Sequence, residues 1–168
     1  IAPEIAKKMT LVWIGGQEYP GLGIPVPGAT PAEYNLTIDR IAAQVVFNRS
    51  GIAIWQVPRN TYRRMLFGAG ELIEMKSRGG ISAWLVGEVE KVWEMVGKYG
   101  LPAGETYVLG DSPLVTLTAL QSTFEPDPAS SDYVVRPCPI IGDDGLYRRN
   151  AKGRPIRVYT TIDTRLTF

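Results

Sequence analysis

The sequence predicts an α/β fold with an open, mainly parallel sheet. Three observations carry that prediction. Thr10-Leu-Val-Trp-Ile14 is a short apolar, partly β-branched run halted by Gly15-Gly16, as a buried parallel strand reads. A helical pattern follows over residues 39–49, where Ile38, Ile41, Ala42, Val45 and Val46 recur at steps of three and four and share one face. Ile52 to Val57 is a second strand of the same character, closed by Pro58. Strand, helix and strand in this order make a βαβ unit with parallel strands and a right-handed crossover.

The remaining elements follow in chain order. Glu4 to Lys8 reads as the end of a helix. Residues 15–31 hold five Gly and four Pro, which predicts a long irregular loop, a kind of segment that is often functional. Its glycines do not form a phosphate cradle, because no Lys-Ser/Thr pair follows them and no helix opens directly after. Glu33 and Asn35 stand two apart, so in an extended segment both side chains point the same way. A carboxylate and an amide aimed together beside a helix N-terminus suit a polyhydroxylated ligand. Asp39 is the expected N-cap of the 39–49 helix, and Gly51 is expected in a left-handed conformation at its end.

Asn60 to Phe67 follow the C-terminal end of the second strand, where open α/β sheets bind ligands. Helices are expected at 70–76 and 81–99. The second buries a face of Ile81, Trp84, Leu85, Val89, Val92, Trp93 and Val96. Asp111 precedes Pro113 and an apolar run, which reads on its own as a helix N-cap with Pro just inside the helix. Tyr133–Val135 and Ile156–Thr161 are strand-like, while Asp143-Asp144-Gly145 and Asn150 to Gly153 read as turns.

Composition narrows the chemistry. The 168 residues suit one domain, and 45% hydrophobic with 21% charged is ordinary for a soluble globular protein. A formal net charge of +1 gives no general reason to expect nucleic acid or a membrane surface as partner. No apolar run is long enough to span a membrane, and no signal peptide is visible. The lone Cys138 excludes an internal disulfide framework and suggests a cytoplasmic compartment. With no His anywhere, a Ser–His–Asp triad, a Cys–His pair and a His-ligated zinc site are impossible within the chain.

Glu33-Tyr-Asn35, then Asp39 and a helix, then Gly51-Ile-Ala-Ile-Trp-Gln-Val-Pro58, resembles the Glu-Phe-Asn…Asp segment of the inosine–uridine-preferring nucleoside hydrolases. The likeness takes in the Val12-Trp-Ile-Gly-Gly16 strand, Asp111 and the tail, and it corresponds to the C-terminal half of that family's domain. It implies a Rossmann-like open sheet with helices on both faces, of which this chain is the C-terminal portion. It also implies calcium-assisted hydrolysis of the N-glycosidic bond of ribonucleosides through an oxocarbenium-like transition state. By resemblance Glu33 and Asn35 hold the ribose, Ile14 packs against the sugar, and Asp111 is a ligand of Ca2+. Three departures stand out, the first being that the family often has an Asn in the loop before its Glu-Phe-Asn motif, where the nearest position here is Gly28. The family's His before the metal Asp is replaced by Gly110, and its N-terminal Asp cluster is absent from these residues. No catalytic acid is therefore assigned. Trp55, Tyr62, Tyr99 and Tyr107 are the candidates for stacking the base. Half of such a sheet would leave apolar faces and an open edge, so a further N-terminal segment of the domain and a homo-oligomer are the expected partners. A non-catalytic nucleoside- or sugar-binding relative is the alternative.

Overall fold

In the computed structural model, residues 3–100, 104–120 and 129–168 are described. They divide into two compact units, one of residues 1–64 with 110–168 and one of residues 65–109.

The first unit is built on a four-stranded sheet of β1 (Thr10–Ile14), β2 (Ala53–Val57), β8 (Pro155–Thr161) and β5 (Asp132–Pro137), in that spatial order. The first three are parallel, and β5 runs antiparallel to β8 at an edge. Thr10 pairs with Ala53 and Ile14 with Val57, so the parallel pair expected from the sequence is present in full register. The architecture is mixed α/β with a mainly parallel open sheet.

Alternation along the strands sorts their side chains. Leu11, Trp13, Ile54, Ile156, Val158 and Val134 point to one face and form the core with Leu36, Phe47, Cys138 and Ile141. Trp13 and Phe47 meet edge to face at 5.2 Å. The covering elements on this face are α1 (Tyr34–Ile38), α2 (Arg40–Gln44), the wider π turn Val45–Arg49 that continues α2, and the hairpin of β6 (Ile140–Ile141) and β7 (Tyr147–Arg148). On the opposite face Arg157 lies between the Trp55 and Tyr133 rings, 4.4 and 4.5 Å from their centroids. A short helix, α6 (Pro113–Thr118), packs against β1 with Thr116 and Leu117 buried, and α7 (Thr164–Thr167) packs on α6.

The 39–49 helix differs from its periodicity. Asp39 does cap it, accepting from Ala42 N at 2.8 Å. The chain breaks at Asp39 (φ −142°, ψ 82°), however, and the π turn changes the angular step per residue. The buried side is consequently Leu36, Ala43, Val46 and Phe47, while Ile38 and Ile41 stay 68% and 69% exposed. Gly51 is not left-handed. The Ser50 hydroxyl ends the helix instead, donating to Val46 O at 2.6 Å and accepting from Ile52 N.

The second unit contains α3's successor segments: β3 (Leu66–Gly68), α4 (Ala69–Ser77), α5 (Gly80–Lys98) and β4 (Thr106–Val108), with α3 itself (Arg59–Tyr62) belonging to the first unit. β3 and β4 pair antiparallel, and Leu72, Val86 and Val89 form the unit's core with Phe67, Trp93 and Tyr107. Both helices lie within a residue of their expected bounds. The face of α5 is rotated: Val86, Val89 and Trp93 carry it, whereas Ile81 and Trp84 are 81% and 63% exposed. Among the described residues no helix is long and apolar enough to cross a membrane.

Candidate functional site

Glu33 is the keystone of the C-terminal end of the sheet. It is the N-cap of α1, not part of an extended run leading to a later helix, because α1 already begins at Tyr34. That corrects the expected parallel aim of Glu33 and Asn35. The Glu33 carboxylate is wholly buried and accepts four hydrogen bonds. Two come from the first turn of α1, Asn35 N and Leu36 N, each at 3.0 Å. One comes from Gly16 N at 2.7 Å and one from the Tyr62 hydroxyl at 2.6 Å. A carboxylate offers about four lone-pair sites, so the chain's own donors fill them. Burial of this charge is tolerable because each donor bond to it is charge-assisted.

Asn35 lies inside α1, and its Nδ2 donates to Ile14 O at 3.0 Å, leaving its side-chain oxygen as an acceptor. Ile14 itself is buried by its side chain, so it enters the cluster through its carbonyl. Thus Ile14, Glu33 and Asn35, singled out from the sequence, meet at one place. Gly16, with φ +83°, adopts the left-handed turn that brings its N–H onto Glu33, and a Cβ there would collide with Tyr147 and Gln56.

Sequence reasoning missed the supports around this knot. Arg59 and Glu18 form a bidentate pair at 2.8 and 2.7 Å, with the Arg59 backbone N–H donating to Gly16 O at 2.9 Å. The Arg59 guanidinium holds the Glu18 carboxyl below its ordinary range, and Glu18 in turn raises Arg59. Tyr62, expected as a base stacker, spends its hydroxyl on Glu33. Burial, then that bond, pushes its phenol well above the usual tyrosine value. Gln56 is buried in β2, accepting from the Tyr19 hydroxyl at 2.6 Å and donating to Gly15 O at 2.8 Å. A Gln inside the run Ile-Trp-Gln-Val was the signal for such a network, since a buried amide needs partners.

Two buried side-chain oxygens find no partner among the described residues, Gln17 Oε1 and Asn60 Oδ1. Gln17 is one residue beyond Gly16 and Asn60 one beyond Arg59, so both follow the C-terminal ends of β1 and β2. Unsatisfied buried acceptors are rare in folded chains, and each calls for a donor such as an enclosed water or a ligand hydroxyl.

Asp111 is exposed ahead of α6, with its carbonyl accepting from Leu114 N at 3.0 Å. Calcium takes about six to eight oxygens. No group of three or more His, Cys, Asp or Glu able to hold a metal occurs among the described residues, so a calcium ion at Asp111 would need further oxygen ligands. Tyr99 and Tyr107 belong to the second unit, where Tyr107 packs on Trp93 at 6.2 Å. Trp55 is occupied by Arg157. No family model matches the chain, and no curated protein matches it.

Proposed function

We propose that the first unit supplies the sugar-binding side of a nucleoside-hydrolase-type site, cleaving the N-glycosidic bond of ribonucleosides to ribose and free base. The observation that carries this reading is the meeting of Ile14, Glu33 and Asn35 at the C-terminal end of β1, with two partnerless buried acceptors, Gln17 Oε1 and Asn60 Oδ1, in the segments that follow β1 and β2. In this reading Asn35 Oδ1 accepts a ribose hydroxyl. Glu33 acts at one remove, fixing the Gly16 loop and the first turn of α1. It is a positioning residue whose bonds are already made. Oxocarbenium character at C1′ and activation of water call for further carboxylates, which have to come from outside the described residues together with Asp111. The partners are a ribonucleoside, a segment carrying those carboxylates, and a second copy of the chain, with the free Cys138 thiol in keeping with a cytoplasmic setting.

One observation favours a second reading, a non-catalytic nucleoside- or sugar-binding protein: the Glu33 carboxylate has no lone pair left and Asp111 has no fellow ligands among the described residues. The two readings part in one assay. The complete protein is incubated with inosine or uridine in calcium or in EDTA, and reducing sugar is measured. Calcium-dependent release of ribose supports hydrolysis. Saturable nucleoside binding with no release supports the binding protein.

A further inference from the structure

A concavity on the first unit is lined in part by Gln17 and Glu18, which follow the Gly16 turn of the Glu33 knot. It is a cleft of about 650 Å³ between the start of the 15–31 loop, the end of β5 and the β6–β7 hairpin. That volume falls within the range of about 300–1,000 Å³ typical of small-molecule sites. Its walls carry three guanidinium groups, Arg136, Arg148 and Arg149. Arg148 is paired with Asp144 at 2.6 Å. Arg136 and Arg149 have no ion pair or side-chain hydrogen bond among the described residues, and both are exposed. The acidic wall residue, Glu18, is neutralised by its bidentate bond to Arg59. The cleft therefore presents net positive charge in a concave surface, where field is focused. The lining also includes the apolar Pro20, Pro137 and Leu146 and the aromatic Tyr147.

We propose that this cleft binds a phosphomonoester carried on a ring-bearing body, with phosphate held by Arg136 and Arg149 and the ring against the proline and tyrosine walls. Guanidinium forks match phosphate oxygens in bidentate geometry. Two uncommitted cations, with a third beside them, exceed what a singly charged carboxylate can use and suit a phosphate carrying about −1.5 to −2 charges. The cleft shares Gln17 with the proposed nucleoside site, but the inference rests on Arg136 and Arg149, neither of which has a part in that reading.

The test is titration of the full chain with AMP, adenosine and inorganic phosphate, by calorimetry at low and high salt. The expected result is AMP binding at least tenfold tighter than either adenosine or phosphate, weakened by salt. Arg136→Ala with Arg149→Ala should lower AMP affinity at least tenfold while leaving the unfolding midpoint and any adenosine binding unchanged. Arg136→Lys with Arg149→Lys should restore part of the affinity. Equal binding of AMP and adenosine, equal binding of AMP and phosphate, AMP affinity indifferent to the alanine pair, or no AMP binding at millimolar concentration would each overturn the assignment. Both arginines are exposed, so the variants should fold. A circular dichroism spectrum matching the parent checks this, and a variant pair that fails to match is replaced by Arg136→Gln with Arg149→Gln in the same titration.

Discussion

Glu33 shows how one side chain can organise a sheet end. Its four donors come from a loop, a helix turn and α3, so the substitution Glu33→Gln replaces an acceptor oxygen with an amide NH2 that faces donors. An unmatched buried polar group costs about 1–3 kcal/mol, and the change should lower unfolding free energy by about 3 kcal/mol in urea denaturation. Tyr62→Phe removes one of the four donors and should cost about 1 kcal/mol. A Glu33→Gln protein as stable as the parent would remove the keystone role. The Glu18–Arg59 pair adds a pH dependence of definite sign. Glu18 titrates below its ordinary value near 4.5 in the folded chain. Its pairing therefore stabilises the protein in full above that value and is lost as pH falls through the lowered folded-state value. The stability difference between the parent and Glu18→Gln should be constant above about pH 5.5 and shrink below about pH 4.5. A difference that grows on acidification would contradict the pairing.

Elements were legible from sequence where one physical cause dominated. Both parallel strands stood out because a run of apolar, β-branched residues ended by Gly-Gly or Pro has few other uses. The capping of α2 by Asp39 was legible for the same reason, and Asp39→Ala should cost about 1 kcal/mol in thermal or urea unfolding. Helix faces were legible only in part, with Val46, Val89 and Trp93 in the cores as their periodicity predicts. Ile38, Ile41 and Val45 keep a regular spacing, yet a break at Asp39 and a π turn after Gln44 move Phe47 into the core and leave the isoleucines outside. Ile38→Ser and Ile41→Ser should each change stability by less than about 0.5 kcal/mol, where buried isoleucines would cost several times that. The start of α1 was missed because Glu is an uncommon N-cap, and only the buried pocket formed with Gly16 and Tyr62 makes it one.

For the whole molecule, the mainly parallel sheet followed from the order of elements, whereas the division into two units did not. Nothing in local periodicity says that residues 65–109 pack among themselves. The ends of that unit meet, with Leu109 N donating to Met65 O at 2.8 Å. Replacing residues 66–108 by a short Gly/Ser turn should leave the first unit with a single cooperative urea transition. A broad, non-cooperative transition would show that the first unit depends on the second. The candidate site was half legible. Ile14, Glu33 and Asn35 are legible in the sequence and come together, but the acceptors left over at Gln17 and Asn60 arise from how two loops close on the strand ends, which no spacing encodes.

The measurement that tests the sugar-site reading most directly is calorimetric titration of inosine, with ribose as control, into the parent chain and Asn35→Ala. Asn35 contributes one bond to Ile14 O, worth about 1 kcal/mol, so the variant stays folded. Saturable binding of both ligands to the parent is expected, with an at least tenfold loss for each, about 1.4 kcal/mol, in the variant. Equal affinities in the two folded proteins, or no ribose binding to the parent, would contradict it.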